Sequence, residues 1–404
     1  MKLAWVVGCA ILYIQLEICF VASNDLFPVI LIPGLLGSRL EVKLNRTSTV
    51  NWLCKRHTDG FEPIWATASS ILPLFVDCLV DNMKLFYDPL TGHAKPREGV
   101  IIRPEEFGST QSVSSVMHNV PNDSINQFRL LISKLEQLGY QENVNIFGAP
   151  FDWRLSPFDN PSFASQLKEL IDSIKRKTGK PVVIISFSLG GLYALDFLYK
   201  QTQQWKDEHI KLLITLSTPW LGSINAVDSL LRGYHISMLS DVYGETKFIG
   251  NARSYSSVMA MMPHEVGFKQ NFVEVGDEQY RTNNYTDLFK KIGLNSLPQQ
   301  IEDSQNFLNN FRSPQVDLLC IHASHEPTKE KIIYQSWTDF PNNPEITYGD
   351  GDGTVNRASL AGCLKWKGQG KSLNYKVFPN GAHDETVKSL NIVNFIVRAV
   401  QNIH

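Results

Sequence analysis

The 404-residue chain has almost no surplus of charge: 38 Lys and Arg stand against 40 Asp and Glu, a formal net charge of -2. Charged residues make up only 19% of it, below the roughly 25% of an average soluble domain. Without a cationic field nothing holds a polyanion, so nucleic acid is excluded as a partner. Metal-ligand spacings of the C-x-x-C or H-E-x-x-H kind are missing, and neither a metal nor a cofactor is expected. Internal repeats and low-complexity tracts are missing too, and 26 Gly with 20 Pro are too few for a disordered or collagen-like chain. The length suffices for one large domain or two ordinary ones with a substantial core.

Only one apolar run is long. It covers residues 4–22 and ends in the small residues Val21-Ala22-Ser23, the pattern of a signal peptide over residues 1–23. Gln15 and Glu17 speak against the rival reading, an uncleaved anchor, because a carboxylate at that depth costs about 2.5 kcal/mol or more. The C-terminus carries neither a GPI tail nor an ER-retrieval sequence. These features predict a secretory-pathway protein, lysosomal or extracellular. Cleavage removes Cys9 and Cys19 and leaves Cys54, Cys78, Cys320 and Cys363. An even count in an oxidising compartment predicts disulfides, and the pairing that closes two local loops is Cys54–Cys78 with Cys320–Cys363. Each closure contributes about 3 to 4 kcal/mol in the chain-entropy picture. Asn-x-Ser/Thr sequons at Asn45, Asn122 and Asn284 fit glycosylation.

Strand-like and helix-like segments alternate along the mature chain. Apolar runs at 27–32, 181–185, 210–216, 316–321 and 375–378 read as buried strands. Three-four spacing of apolar residues predicts helices over 125–138 and 163–177, followed by 189–200 and a closing helix over 387–401. The alternation predicts an α/β fold with a mainly parallel sheet. Two regions break it, at about 44–104 and 223–314, and read as insertions over the mouth of the sheet.

Chemistry concentrates at Ile185-Ser-Phe-Ser188-Leu-Gly190-Gly191, between a strand and a helix. A nucleophile presented on a sharp strand-to-helix turn needs small residues two before and two after it; here they are Ser186 and Gly190. Ser188 then sits at a helix N-terminus, which favours a developing anion. A serine needs an oriented base, and the partners of such a turn follow in the order acid, then His. His383, after the last strand and before the last helix, is the base. Tyr348-Gly-Asp350-Gly-Asp352-Gly-Thr-Val355 supplies the acid, Asp352 by choice and Asp350 as runner-up. The same stretch resembles a calcium loop, but Ala361 stands at the twelfth loop position, where an EF-hand needs an acid. The glycine-bearing loop Pro33-Gly-Leu-Leu36-Gly-Ser38 is placed to supply an oxyanion donor, so the N–H groups of Leu36 and Leu189 are the expected pair.

Several motifs in combination resemble one known family. They are Pro28-Val-Ile-Leu-Ile-Pro-Gly-Leu-Leu-Gly-Ser-Arg-Leu-Glu41, the Cys54/Trp65/Cys78 segment, Gly148-Ala-Pro-Phe-Asp-Trp-Arg154, Ser217-Thr-Pro-Trp-Leu-Gly222 and Gly349-Asp-Gly-Asp-Gly-Thr-Val-Asn356. The family is that of lecithin:cholesterol acyltransferase and the group XV lysosomal phospholipase A2, with the closer likeness to the phospholipase branch. The resemblance implies an α/β-hydrolase core, a small membrane-binding subdomain and a cap. It implies a triad of Ser188, Asp352 and His383 with Leu36 and Leu189 as oxyanion donors, and the same two disulfides. It also implies Trp65 beside the acyl chain and a lid at about 230–256. The implied activity is removal of a fatty acyl group from a glycerophospholipid, with transfer to water or a lipid alcohol. Phe187 stands where the family usually has His, and Leu35 where the lysosomal branch has an acidic residue, so that branch's acidic pH preference is not carried over.

A lipid substrate needs an apolar approach. Trp65, Ile71, Leu72, Leu74, Phe75, Leu79 and Val80 form a stretch that Pro73 and Asp77 keep from spanning a bilayer, suited instead to shallow insertion. Met259, Met261, Met262, Trp65 and Trp220 are candidates for an acyl channel, and Asp152 with Arg154 for a structural ion pair. The expected partner is thus a phospholipid bilayer surface, met by a monomer. Two rival readings are an inactive lipid-binding protein on the same fold and a secreted esterase for soluble esters.

Overall fold

The architecture is that of a computed structural model describing residues 26–65, 67, 72–116, 126–233 and 244–403. The leader, Ile71, Asn122 and residues 234–243 of the expected lid lie outside the described residues. Six strands form the central sheet: β1 (Val29–Ile32), β2 (Ile146–Gly148), β3 (Val182–Phe187), β4 (Ile210–Leu216), β5 (Leu318–Ser324) and β6 (Leu373–Pro379). Their order across the sheet is β6-β5-β4-β3-β1-β2, and every neighbouring pair is parallel.

Strands covered on both faces are near-continuously apolar, and β1, β3 and β5 are buried throughout, with Ser186, His322 and Ser324 as polar exceptions. Their alternate side chains sort into two cores. Val29, Leu31, Val183 and Ile185 face helices α1 (Arg129–Glu136) and α4 (Leu390–Gln401), while Ile30, Ile32, Val182 and Ile184 face α2 (Pro161–Thr178) and α3 (Leu189–Tyr199). In α2 the apolar face is Phe163, Leu167, Ile171 and Ile174; Pro161 opens the helix and Gly179, at φ 70°, closes it after the basic turn Lys175-Arg176-Lys177. By contrast α3 is buried on all sides from Leu189 to Leu198, as a helix must be when the sheet lies under it and inserted elements cover it.

Four elements differ from the expectation, the first being β2, a short strand that no apolar run announced. The helix predicted over 125–138 starts at Arg129 because Phe128 is its N-cap and Gln127 turns away to another partner. The closing helix is broken: Glu385–Lys388 and α4 are separated by Ser389, extended at φ -73°, ψ 123°. A four-stranded sheet, ordered Glu278–Tyr280, Val273–Val275, Glu326–Tyr334, Glu345–Gly351, was not anticipated. The chain leaves β5 through His325 at φ 65°, runs through this sheet and returns at Gly351, where Asp352 bridges back to Glu326. Gly351 has to lack a side chain, since a Cβ would lie 2.4 Å from both Thr328 Oγ1 and Val355 O.

Both disulfides are formed as expected, with Cα separations of 5.4 Å for Cys54–Cys78 and 6.8 Å for Cys320–Cys363. The first ties the loop carrying Trp52 to the helix Val76–Met83. Residues 40–104 build a three-stranded sheet, a hairpin and that helix. Arg154 braces these parts: its guanidinium holds Asp152 through two bonds (2.9 and 2.6 Å) and donates to Met83 O (3.0 Å), while its carbonyl accepts from Ser257 N. Both charges are buried. Arg154→Met leaves the Asp152 carboxylate buried and unpaired, and should lower the unfolding free energy by about 3 to 5 kcal/mol, read from the urea midpoint at unchanged slope.

Candidate active site

Ser188 sits between the end of β3 and the first turn of α3, at φ 52° and ψ -124°. Such a conformation costs a non-glycine residue about 1 to 3 kcal/mol. The surroundings hold it: Ser188 N donates to Leu216 O at the end of β4 (2.8 Å), and its carbonyl accepts from Gly191 N. A Cβ at Gly190 would lie 2.3 Å from Pro33 O, so this position tolerates no side chain, whereas Ser186 is accommodated with its Oγ 3.5 Å from Ile214 O.

His383 follows β6. Its Nδ1 donates to Asp352 Oδ2 (2.7 Å), which leaves Nε2 to accept from Ser188 Oγ (2.9 Å). Asp352 is fully buried. Its other oxygen, Oδ1, accepts from Val355 N (2.7 Å) and Thr354 N (3.1 Å), so the carboxylate is aimed by its own turn. Asp350 goes elsewhere: it accepts from His325 N (2.8 Å) and pairs with Arg357 (3.1 Å) at the surface. Two other histidines, half-buried His264 and buried His322, are pushed below the ordinary imidazole range by desolvation. His322 is spoken for, donating from Nδ1 to Ala323 O and accepting at Nε2 from Tyr375 Oη.

A cavity of about 670 Å³ opens over Ser188 and His383, with Leu35, Leu36, Phe187, Pro219, Val258 and Met261 among its apolar walls. The Phe187 ring lies 5.0 Å from the His383 ring. Leu36 takes φ 62° in a turn closed by Gly37 N to Gly34 O (3.1 Å). Leu189 opens α3, where an N–H has no intrahelical acceptor.

Other candidate residues are distributed unevenly. Trp65 is buried beneath the Leu36 turn, donating from Nε1 to Leu36 O (3.3 Å) and packing edge-on to Trp153; it is not among the residues lining the cavity. Of the methionines, Met261 lines the cavity while Met259 and Met262, like Trp220, are buried in the core. Leu72 and Leu74 point to solvent, Phe75 and Val80 are half-buried, and Leu79 packs inside. Asn45 is exposed; Asn284 is half-buried and donates to Gln279 O. Sequence reasoning missed Gln127, which meets Gly34 N and Leu35 O with its side-chain amide.

No helix among the described residues is long and apolar enough to cross a membrane, and no group of three or more His, Cys, Asp or Glu among them could hold a metal ion. A solved structure, the Tle4–Tli4 complex, contains a chain that matches over 94% of this chain and 99% of its own at a TM-score of 0.56 and 12% identity, a likeness of fold alone. The lysosomal phospholipase A and acyltransferase of Rattus norvegicus is 30% identical over 376 residues, 92% of this chain and 90% of its own length. The phosphatidylcholine-sterol acyltransferase of Mus musculus is 33% identical over 349 residues, 86% of this chain and 78% of its own. The lecithin:cholesterol acyltransferase family model matches residues 61–311 and 299–397. A family model that matches most of the chain, through the Gly349–Asn356 turn and His383, on one α/β-hydrolase core leaves a single conclusion: this chain belongs to the lecithin:cholesterol acyltransferase family.

Proposed function

We propose that the protein is a lipid acyl hydrolase and transferase of the secretory pathway, acting on membrane glycerophospholipids through an acyl-serine intermediate. The observation that carries this reading is the hydrogen-bonded line from Ser188 Oγ through His383 to the buried Asp352, opening into an apolar cavity. Ser188 attacks the ester carbonyl while His383 Nε2 takes its proton. Asp352 keeps the imidazole in the tautomer whose Nε2 is free to accept, and stabilises the imidazolium. The N–H groups of Leu36 and Leu189 receive the developing oxyanion, each worth about 3 kcal/mol in the transition state. His383 returns the proton to the leaving lysolipid. Deacylation repeats the sequence with water or a lipid alcohol as nucleophile, and apolar walls that limit water favour the alcohol.

The kinship with the rat phospholipase and the mouse sterol acyltransferase supports a phospholipid as acyl donor. Leu72, Leu74 and, across the Cys54–Cys78 bridge, Trp52 expose apolar surface on the 40–104 region that suits shallow insertion into a leaflet. The enzyme is read as a monomer that meets the bilayer peripherally.

The test is direct. The purified protein is incubated with phosphatidylcholine vesicles containing an N-acylsphingosine or a sterol, and products are followed by mass spectrometry from acidic to neutral pH. Free fatty acid, lysolipid and an acylated alcohol are expected. Activity on a monomeric ester with none on vesicles would replace this reading with that of an esterase for soluble substrates.

A further inference from the structure

The turn that follows β1 is gripped from outside. Gly34 N donates to Gln127 Oε1 (2.8 Å), and Gln127 Nε2 donates to Leu35 O (3.2 Å). An N–H on one side and a C=O on the other admit a single orientation of the amide. Both bonds span more than ninety residues of sequence, |i−j| being 93 and 92. Two further groups of the turn are occupied as well: Gly34 O accepts from Gly37 N, and Leu36 O accepts from Trp65 Nε1. The N–H groups of Leu35 and Leu36 are the turn's donors without an acceptor among the described residues.

Gly37 makes the grip possible. A Cβ there would lie 2.1 Å from Gln127 Oε1 and 2.4 Å from its Cδ, so the missing side chain is the space the amide fills. Gln127 is itself fixed, because the next residue, Phe128, is fully buried and caps α1. It also lines the cavity over Ser188.

We propose that Gln127 is a positioning residue for the oxyanion site: its carboxamide sets the peptide planes of the 33–37 turn so that a backbone N–H faces the reacting carbonyl oxygen. The proposal rests on the acyl-serine reading above. A preorganised donor is effective only where it is already aimed, and a turn held at one carbonyl and one N–H cannot rotate its intervening peptide away.

Two variants test it against the unmodified enzyme on phosphatidylcholine vesicles. Gln127→Met keeps length and burial but makes neither bond; kcat should fall about 10- to 100-fold with KM close to that of the parent, and the thermal midpoint should drop modestly as Gly34 N–H and Leu35 C=O lose their partner. Gln127→Glu still accepts from Gly34 N but, ionised, sets a charge against Leu35 O. Protonated, it donates there and restores both bonds. The ratio of its kcat to the parent's should therefore rise as pH falls, with its midpoint above the ordinary glutamic acid value of about 4.3 because burial and the facing carbonyl disfavour the anion, while the Gln127→Met ratio stays flat. A structural role alone would not produce that difference.

Parent-like kcat in Gln127→Met, a rise in KM with kcat unchanged, or a pH-independent Gln127→Glu ratio would overturn the proposal. Should Gln127→Met fail to fold, the Gln127→Glu ratio decides. Fluorophosphonate labelling of the parent separates the two levels: an unreactive Ser188 sinks the acyl-serine reading itself, whereas a reactive parent with indifferent Gln127 variants sinks only the positioning role.

Discussion

Ser188→Ala is expected to lower turnover on phospholipid vesicles by about four orders of magnitude or more, with vesicle binding and the thermal midpoint unchanged. The size follows from what is lost. In the proposed reaction Ser188 Oγ forms the acyl bond, and it is 2.9 Å from the only histidine nitrogen placed to take its proton among the described residues. The hydroxyl two residues earlier, Ser186 Oγ, is directed at Ile214 O instead. The change also removes a strained residue's functional group without touching its backbone bonds to Leu216 and Gly191, so stability is spared. Steady-state kinetics beside vesicle co-sedimentation check both halves. A variant that hydrolysed at near-parent rates would remove Ser188 from its role.

The second large effect separates the two acids. In Asp352→Asn, the Thr354 and Val355 N–H groups keep an oxygen at the Oδ1 position, which turns the new NH2 toward His383 Nδ1. That nitrogen must then accept, the proton moves to Nε2, and Nε2 no longer accepts from Ser188. Turnover should fall by about three to four orders of magnitude, with the rate of fluorophosphonate labelling falling alongside. Asp350→Asn disturbs only a surface pair with Arg357 and a bond from His325 N, and should stay within a few-fold of the parent. The reverse ranking would reassign the acid.

The parallel core was readable because a strand covered on both faces is near-continuously apolar, and short runs such as 181–185 stand out against polar loops. Ser188 and His383 were readable for a related reason: the turn around the serine demands a glycine at 190, and the order of partners along such a chain directs the search. Choosing between Asp350 and Asp352 was harder, because both sit between glycines; what divides them is the turn at Gly351–Val355, where one side chain folds back on its own N–H groups. The second sheet escaped notice because Glu326–Tyr334 carries Lys329 and Lys331, which find partners in Asp228 and Glu274 and so hide the strand behind charge. Strand β2 is three residues long and ends in glycine, too little for a pattern. Gln127 gave no local signal at all, since its meaning lies in a contact with a turn that only the folded chain brings near.

The 195 residues separating the hydroxyl from the imidazole bear on how the molecule is made. Strand β6, at the outer edge of the sheet, precedes His383 and is the last strand to arrive. The hydroxyl therefore stays without its proposed base until β6 has paired with β5 and closed that edge of the sheet.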